Sequence, residues 1–155
     1  MKILLVEPRT PETFWSLRHA LRFVGKRAAN PPLGLITLAG LLPRRWNLRL
    51  VDLNCKKLSD KDILWADQVW VSAMQIQYDA VAALVARCHV LGKIVVGGGP
   101  MFTTDPASNA GVDHAVVGET EELAAAVAAG AEAGQLAPFY VAQRFPDLAL
   151  TPLPR

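Results

Sequence analysis

The sequence predicts a doubly wound α/β domain built on a parallel sheet of five strands. Three observations lead there. Short, almost wholly apolar runs recur along the chain, rich in β-branched residues and bounded by glycine, proline or polar residues, as strands covered on both faces must be. Between them lie stretches with apolar residues at helical spacing or with helix start and stop signals, the alternation that builds βαβ units. The apolar run 93–96 then breaks into Gly97, Gly98, Gly99 and Pro100. Ligands of open parallel sheets sit just outside the carboxyl ends of the strands. A strand end stripped of side chains either turns sharply or lets something come close to the backbone.

The first strand, residues 3–6, begins almost at the terminus and runs into Glu7-Pro8-Arg9-Thr10-Pro11, where two prolines exclude helix. The link that follows carries Phe14, Trp15, Arg18, His19 and Phe23. It is far longer than the roughly 2–6 residues usual in compact α/β units, so a lid, a ligand wall or an interdomain contact is expected. Asn30 with Pro31 and Pro32 reads as a helix start, with Asn as cap and proline in the first turn. Residues 33–42 are apolar nearly all round and predict a deeply buried helix. Gly34, Ala39 and Gly40 allow it close to the sheet, and Pro43 ends it.

Residues 48–53 form the second strand, with Asp52 and Asn54 at its end. Ser59, followed three residues later by Asp62, is a capping-box start for a short helix through Trp65. The third strand, 69–71, leads into Ser72, Ala73 and Met74. Val81, Leu84, Val85 and Cys88 mark one face of a helix over 78–91, stopped by Gly92. The fourth strand and its glycines follow. The fifth, 114–117, ends at Gly118 and Glu119. Glu121 and Glu122 then suit the first turn of an alanine-rich helix, which Gly130 is expected to close. Beyond Gly134 four prolines and no helical period read as a linker or docking arm, so residues 1–134 make the domain and 135–155 the arm. Right-handed crossovers give a flavodoxin-like (Rossmann-like) strand order 2-1-3-4-5, with its cleft between strands 1 and 3.

At 155 residues, 52% of them hydrophobic and 19% charged, the chain fits one domain with an unusually apolar surface. That surface points to a covered face, against another domain or an apolar ligand. A net charge of +2 with scattered basic residues offers no stripe for nucleic acid. No apolar run approaches the ~20 residues a membrane span needs. The amino terminus has a strand pattern rather than that of a signal peptide. Cys55 and Cys88 have no metal spacing and read as reduced thiols of a cytoplasmic protein. Gly-x-Gly-x-x-Gly after the first strand is missing, as is a phosphate loop with Lys-Ser/Thr. His19, His89 and His114 form no recognisable cluster with the cysteines.

What remains is a set of strand ends meeting on one edge. They supply the candidate binding residues Pro8, Arg9, Thr10 and Trp15; Ser72, Ala73, Met74, Gln75 and Gln77; Gly97, Gly98, Gly99, Pro100 and Thr103; and Gly118 with Glu119. This edge offers backbone amides, small side chains and apolar walls but no nucleophile with a base, so binding is favoured over catalysis.

The order Ser72-Ala73-Met74, Val95-Val96-Gly97-Gly98-Gly99-Pro100 and Val116-Val117-Gly118-Glu119-Thr120-Glu121 resembles the cobalamin-binding domain at the amino terminus of many radical S-adenosylmethionine enzymes. Pro31-Pro32-Leu33-Gly34-Leu35, Pro146-Asp147-Leu148 and Thr151-Pro152-Leu153-Pro154-Arg155 are similar to that family too, so the likeness covers essentially the whole chain. The resemblance implies cobalamin held with its nucleotide tail off the cobalt, the tail entering between strands and helices beside Ser72 and Gly97 to Gly99. Members with the classical motif carry Asp-x-His-x-x-Gly after the first strand, the histidine ligating cobalt. Here Arg9 stands at the histidine position and Glu12 at the glycine. Arginine has no free lone pair for a metal. A lower cobalt face that is bare, water-bound or covered by Arg9 or Trp15 is therefore expected, with His19 as a displaced ligand the lesser option. The family's catalytic half carries Cys-x-x-x-Cys-x-x-Cys, which this chain lacks. The resemblance implies a downstream half with an iron–sulfur cluster and S-adenosylmethionine, acting as a methyltransferase, and no activity for this part alone. Two other readings stay open: a flavodoxin-like flavin or nucleotide binder using the same edge, and a ligand-free docking domain with Trp15, Trp46, Trp65 and Trp70 as core and interface.

Overall fold

The computed structural model describes residues 1–12, 21, 23, 25–26, 28, 30–107, 109–147, 149 and 151–154. The expectations for Phe14, Trp15, Arg18 and His19 lie outside these residues, as do Leu148 and Arg155. Six strands form the sheet: β1 (Lys2–Glu7), β2 (Asn47–Asp52), β3 (Gln68–Ser72), β4 (Ile94–Gly98), β5 (His114–Val117) and β6 (Phe139–Val141). They pair in parallel throughout, in the order β2-β1-β3-β4-β5-β6. The expected flavodoxin-like order is present, extended by one strand beyond the five expected.

Among the described residues, the α-helices that pack on the sheet are α1 (Leu33–Leu41), α2 (Asp60–Trp65), α3 (Tyr78–Val90), α4 (Pro100–Thr104) and α5 (Thr120–Ala133). Alternation along the strands splits the core between two faces. Leu4 and Val6 of β1 pack with Ile63, Val81, Leu84, Met101 and Phe102, the face covered by α2, α3 and α4. Ile3 and Leu5 pack on the other face with Leu35, Ala39, Val127 and Ala131 of α1 and α5. Trp46 and Trp70 meet edge to face there, ring centres 5.9 Å apart.

Local signals explain most of the boundaries. The Ser59 Oγ accepts from the Asp62 amide at 3.3 Å while Asp62 accepts from the Ser59 amide at 3.1 Å, a reciprocal cap worth about 1 kcal/mol. Gly92 has φ +67°, the left-handed stop expected after α3. Three expectations need correction. Asn30 does not cap α1, which begins after Pro32 with no side-chain cap. α5 passes Gly130 and ends on the left-handed Gly134 at φ +65°. Gly130 is needed for another reason: a β-carbon there would collide with the Tyr140 hydroxyl of β6 and sit 3.2 Å from the Gln135 carbonyl oxygen. The third correction is that the stretch beyond Gly134 supplies β6 instead of leaving the sheet.

After β6 the chain stays on the domain. Glu122 of α5 accepts from the amides of Gln143 at 3.0 Å and Arg144 at 2.9 Å. Leu153 then crosses α1, where a β-carbon on Gly40 would lie 2.8 Å from its carbonyl oxygen. Gly40 thus admits the arm, whereas Gly34, 3.7 Å from Ser72 Oγ by the same construction, admits the sheet.

Candidate functional site

Two cavities open at the carboxyl edge of the sheet. The first, about 600 Å³, lies over the ends of β1, β2 and β3, where the strand order reverses. The second, about 310 Å³, is a slot between α1 and α5 over β3, β4 and β5. Leu33, Gly34, Ser72 and Pro100 line both, so the two adjoin as neighbouring lobes of one edge.

The glycine triplet divides its labour across this edge. Gly97 faces the α4 side, and a β-carbon there would run into the Phe102 ring. Gly99 has φ +92°, and a β-carbon would meet Ser72 Oγ at 2.7 Å and the Ala73 amide nitrogen at 3.2 Å. Both are glycine for structural reasons. Gly98 is different: its nearest neighbour would be Val116 Cβ at 3.7 Å, an ordinary contact. Its missing side chain leaves bare backbone as the floor of the slot. Leu35, Leu38, Trp70, Val96 and Val127 supply apolar walls, and Ser72 with Glu119 supplies polar groups.

The floor of the wider lobe is a fastened loop. Gln77, 1% exposed, donates from Nε2 to the Pro8 carbonyl (2.7 Å), Thr10 Oγ1 (3.2 Å) and Glu7 Oε1 (3.3 Å). Its Oε1 accepts from the Met74 amide at 2.8 Å. From the other side Asn54 accepts from the Thr10 amide at 2.9 Å and donates to the Pro8 carbonyl at 3.3 Å. Asp52 in turn holds Asn54, accepting from its amide and its side chain at 2.8 Å each. Burial pushes the Glu7 carboxyl above its usual value. The Gln77 hydrogen bond opposes this rise and the nearby Asp52 charge adds to it.

Arg9, Thr10, Ala73, Met74 and Gln77 line the wide lobe; Gly97, Gly98, Gly99, Gly118 and Glu119 line the slot; Ser72 and Pro100 belong to both. Pro8 contributes its carbonyl to the fastening of the loop. Gln75 and Thr103 line neither space. Thr103 Oγ1 instead donates to the Gly99 carbonyl at 3.2 Å and accepts from the Gly118 amide at 2.9 Å, tying two strand-end loops together. Trp15 lies outside the described residues.

Sequence reasoning missed the part played by α1. Only Leu35 and Ala39 of that helix are buried, and Leu33 is 59% exposed. It is apolar all round because one side packs on the sheet and the other walls the cavities. Asn54 stands at a strand end beside Asp52, opposite the proline-rich loop, and that position is the signal in the sequence that points to the site. Among the described residues no three His, Cys, Asp or Glu side chains group to hold a metal ion. Cys88 lies on the buried face of α3, its thiol pushed up to about 11 by desolvation. No helix among the described residues is long and apolar enough to cross a membrane.

Comparison with known proteins matches residues 27–128 to the B12 binding domain. The chain is 38% identical over 157 residues to an uncharacterized methyltransferase, sll1242, of Synechocystis sp., covering 100% of this chain and 29% of the relative. It is 31% identical over 158 residues to the hopanoid C-2 methylase of Rhodopseudomonas palustris, covering 99% of this chain and 30% of that protein. The chain therefore spans less than a third of the length of the curated relatives it matches.

Proposed function

We propose, from the premise that the chain belongs to the B12-binding domain family, that its two adjoining lobes hold cobalamin with the nucleotide tail detached from cobalt. The observation that carries this reading is the slot between α1 and α5. It is the smaller of the two lobes, walled mainly by aliphatic side chains and Trp70, and floored by the backbone at Gly98. Such a slot suits a flat heteroaromatic base. The wide lobe, with the amides and side chains of the fastened loop beneath it, suits the amide-fringed corrin ring.

Arg9, Thr10, Ser72 and Met74 would meet the ring, and Gly98, Gly118 and Glu119 the tail. Arg9 replaces the histidine of the classical motif and cannot donate a lone pair, so no histidine from that motif is expected on cobalt. Cobalamin, when bound, supplies methyl-transfer chemistry; the residues of this chain bind it, orient it and keep its tail from water.

The reading extends to the whole protein. The curated relatives reach well beyond the matched segment, and their names describe a methyltransferase and a methylase. Together with the resemblance described above, this supports a downstream catalytic half holding an iron–sulfur cluster and S-adenosylmethionine, joined through the residues that follow β6. The complete protein would be a cytoplasmic, cobalamin-dependent methyltransferase.

The test is an absorbance titration of the purified protein with cobalamin, beside Gly98→Leu. The substituted side chain has room to fold and would fill the slot, so affinity should fall at least ~100-fold, a change of about 2.7 kcal/mol. The unfolding midpoint without ligand should stay close to that of the parent. Full uptake by Gly98→Leu would overturn the placement of the tail. No uptake by the parent protein would overturn the reading itself.

A further inference from the structure

The structure assigns Gln77 a role that its residue type alone does not suggest. We infer that it is a positioning residue, holding the 8–10 loop as a preformed floor for the corrin ring while not touching the ligand through its amide. This rests on the cobalamin reading above. Gln77 is buried, and its side-chain amide is fully engaged within the protein. One end is fixed to the β3–α3 connection by the Met74 amide, and the other holds the Glu7 carboxyl at the end of β1 and two acceptors of the segment after it, the Pro8 carbonyl and Thr10 Oγ1. Asn54 supplies the second fixing point from the end of β2.

The loop needs such anchors. It carries Pro8 and is followed by Pro11, lies outside the sheet ladder, and its Pro8 carbonyl would otherwise lack a partner beneath a bound ligand. A floor held before binding avoids the ordering cost that a loose loop would charge against affinity. An amide suits this place because it donates toward carbonyl, hydroxyl and carboxylate oxygens at once. A carboxylate in the same shape would face those oxygens with like charge, with Glu7 and Asp52 adjacent and Glu12 and Arg9 on the same lobe.

The clamp lies under the wide lobe and away from the slot, so it can be tested with two probes: cobalamin, and cobinamide, which lacks the nucleotide tail. Gln77→Leu and the same-shaped Gln77→Glu should weaken both probes alike, by roughly ten- to thirtyfold at neutral pH. Lowering the pH should restore part of the affinity of Gln77→Glu alone, because a protonated carboxyl regains one donor. Asn54→Ala, at the more exposed anchor, should weaken both probes by a smaller factor and serves if the Gln77 variants do not fold. Gly98→Leu should lose cobalamin but keep cobinamide. Folded Gln77 variants that bind both probes like the parent would overturn the clamp while leaving the cobalamin reading intact. A parent protein that binds neither probe would overturn both.

Discussion

Gly97 and Gly98 are neighbours on one strand, yet they look onto opposite faces of the sheet and meet opposite surroundings. Behind Gly97 the carboxyl edge is filled: Phe102 and Met101 of the short helix α4 are fully buried, and the Phe102 ring occupies the space a side chain would need. Behind Gly98 the edge is open, because a slot lined by α1 and α5 lies over the strand. Glycine is required in one place by the protein's own packing and leaves open space over the backbone in the other. A run of identical residues therefore says little about function until the pleat assigns each one a face.

Four substitutions break or sharpen this contrast. The largest loss of stability is expected on the filled face from Phe102→Ala, about 3–5 kcal/mol by denaturant unfolding, as for other fully buried phenylalanines. Gly97→Ala forces a β-carbon against the same ring and should cost about 1–3 kcal/mol. Combining it with Phe102→Leu should recover part of that loss, since the pair are in contact. Gly98→Leu, one residue along, should change stability by less than ~1 kcal/mol while removing the ligand; an equal loss at both glycines would erase the distinction between the faces.

Glu7→Gln should be the smallest effect and should appear in the pH dependence. The Glu7 carboxyl is raised in the folded protein, so the fold holds that proton longer than the unfolded chain does. Its contribution is full below the ordinary value of 4.5 and is lost as pH rises through the raised folded value. Stability measured across that interval should fall less steeply in Glu7→Gln than in the parent.

The same contrast explains what the sequence could reveal. β1, β3 and β4 are covered on both faces, so Ile3 to Val6, Val69 to Val71 and Val95-Val96 are unbroken apolar runs that announce themselves. The Ser59–Asp62 box and Gly92 are local chemistry and were equally plain. β6 was hidden because it has three residues at a half-exposed sheet edge, and its only signal was the triplet Phe139-Tyr140-Val141. α4 was hidden because five residues do not complete two turns of apolar spacing. At the site, the strand ends could be read from the sequence, but the partner of each side chain could not. Nothing local distinguishes Thr103, which ties Gly99 to Gly118, from Ser72, which lines both lobes. Those roles depend on segments brought together by β-pairing across 15 to 70 residues.

Electron paramagnetic resonance of cob(II)alamin bound to the purified protein tests the central claim most directly. With the tail in the slot and Arg9 in place of the histidine, the cobalt hyperfine lines should show no splitting from an axial nitrogen. Nitrogen splitting on the bound cofactor would mean that the benzimidazole or a histidine sits on cobalt, and would contradict the account.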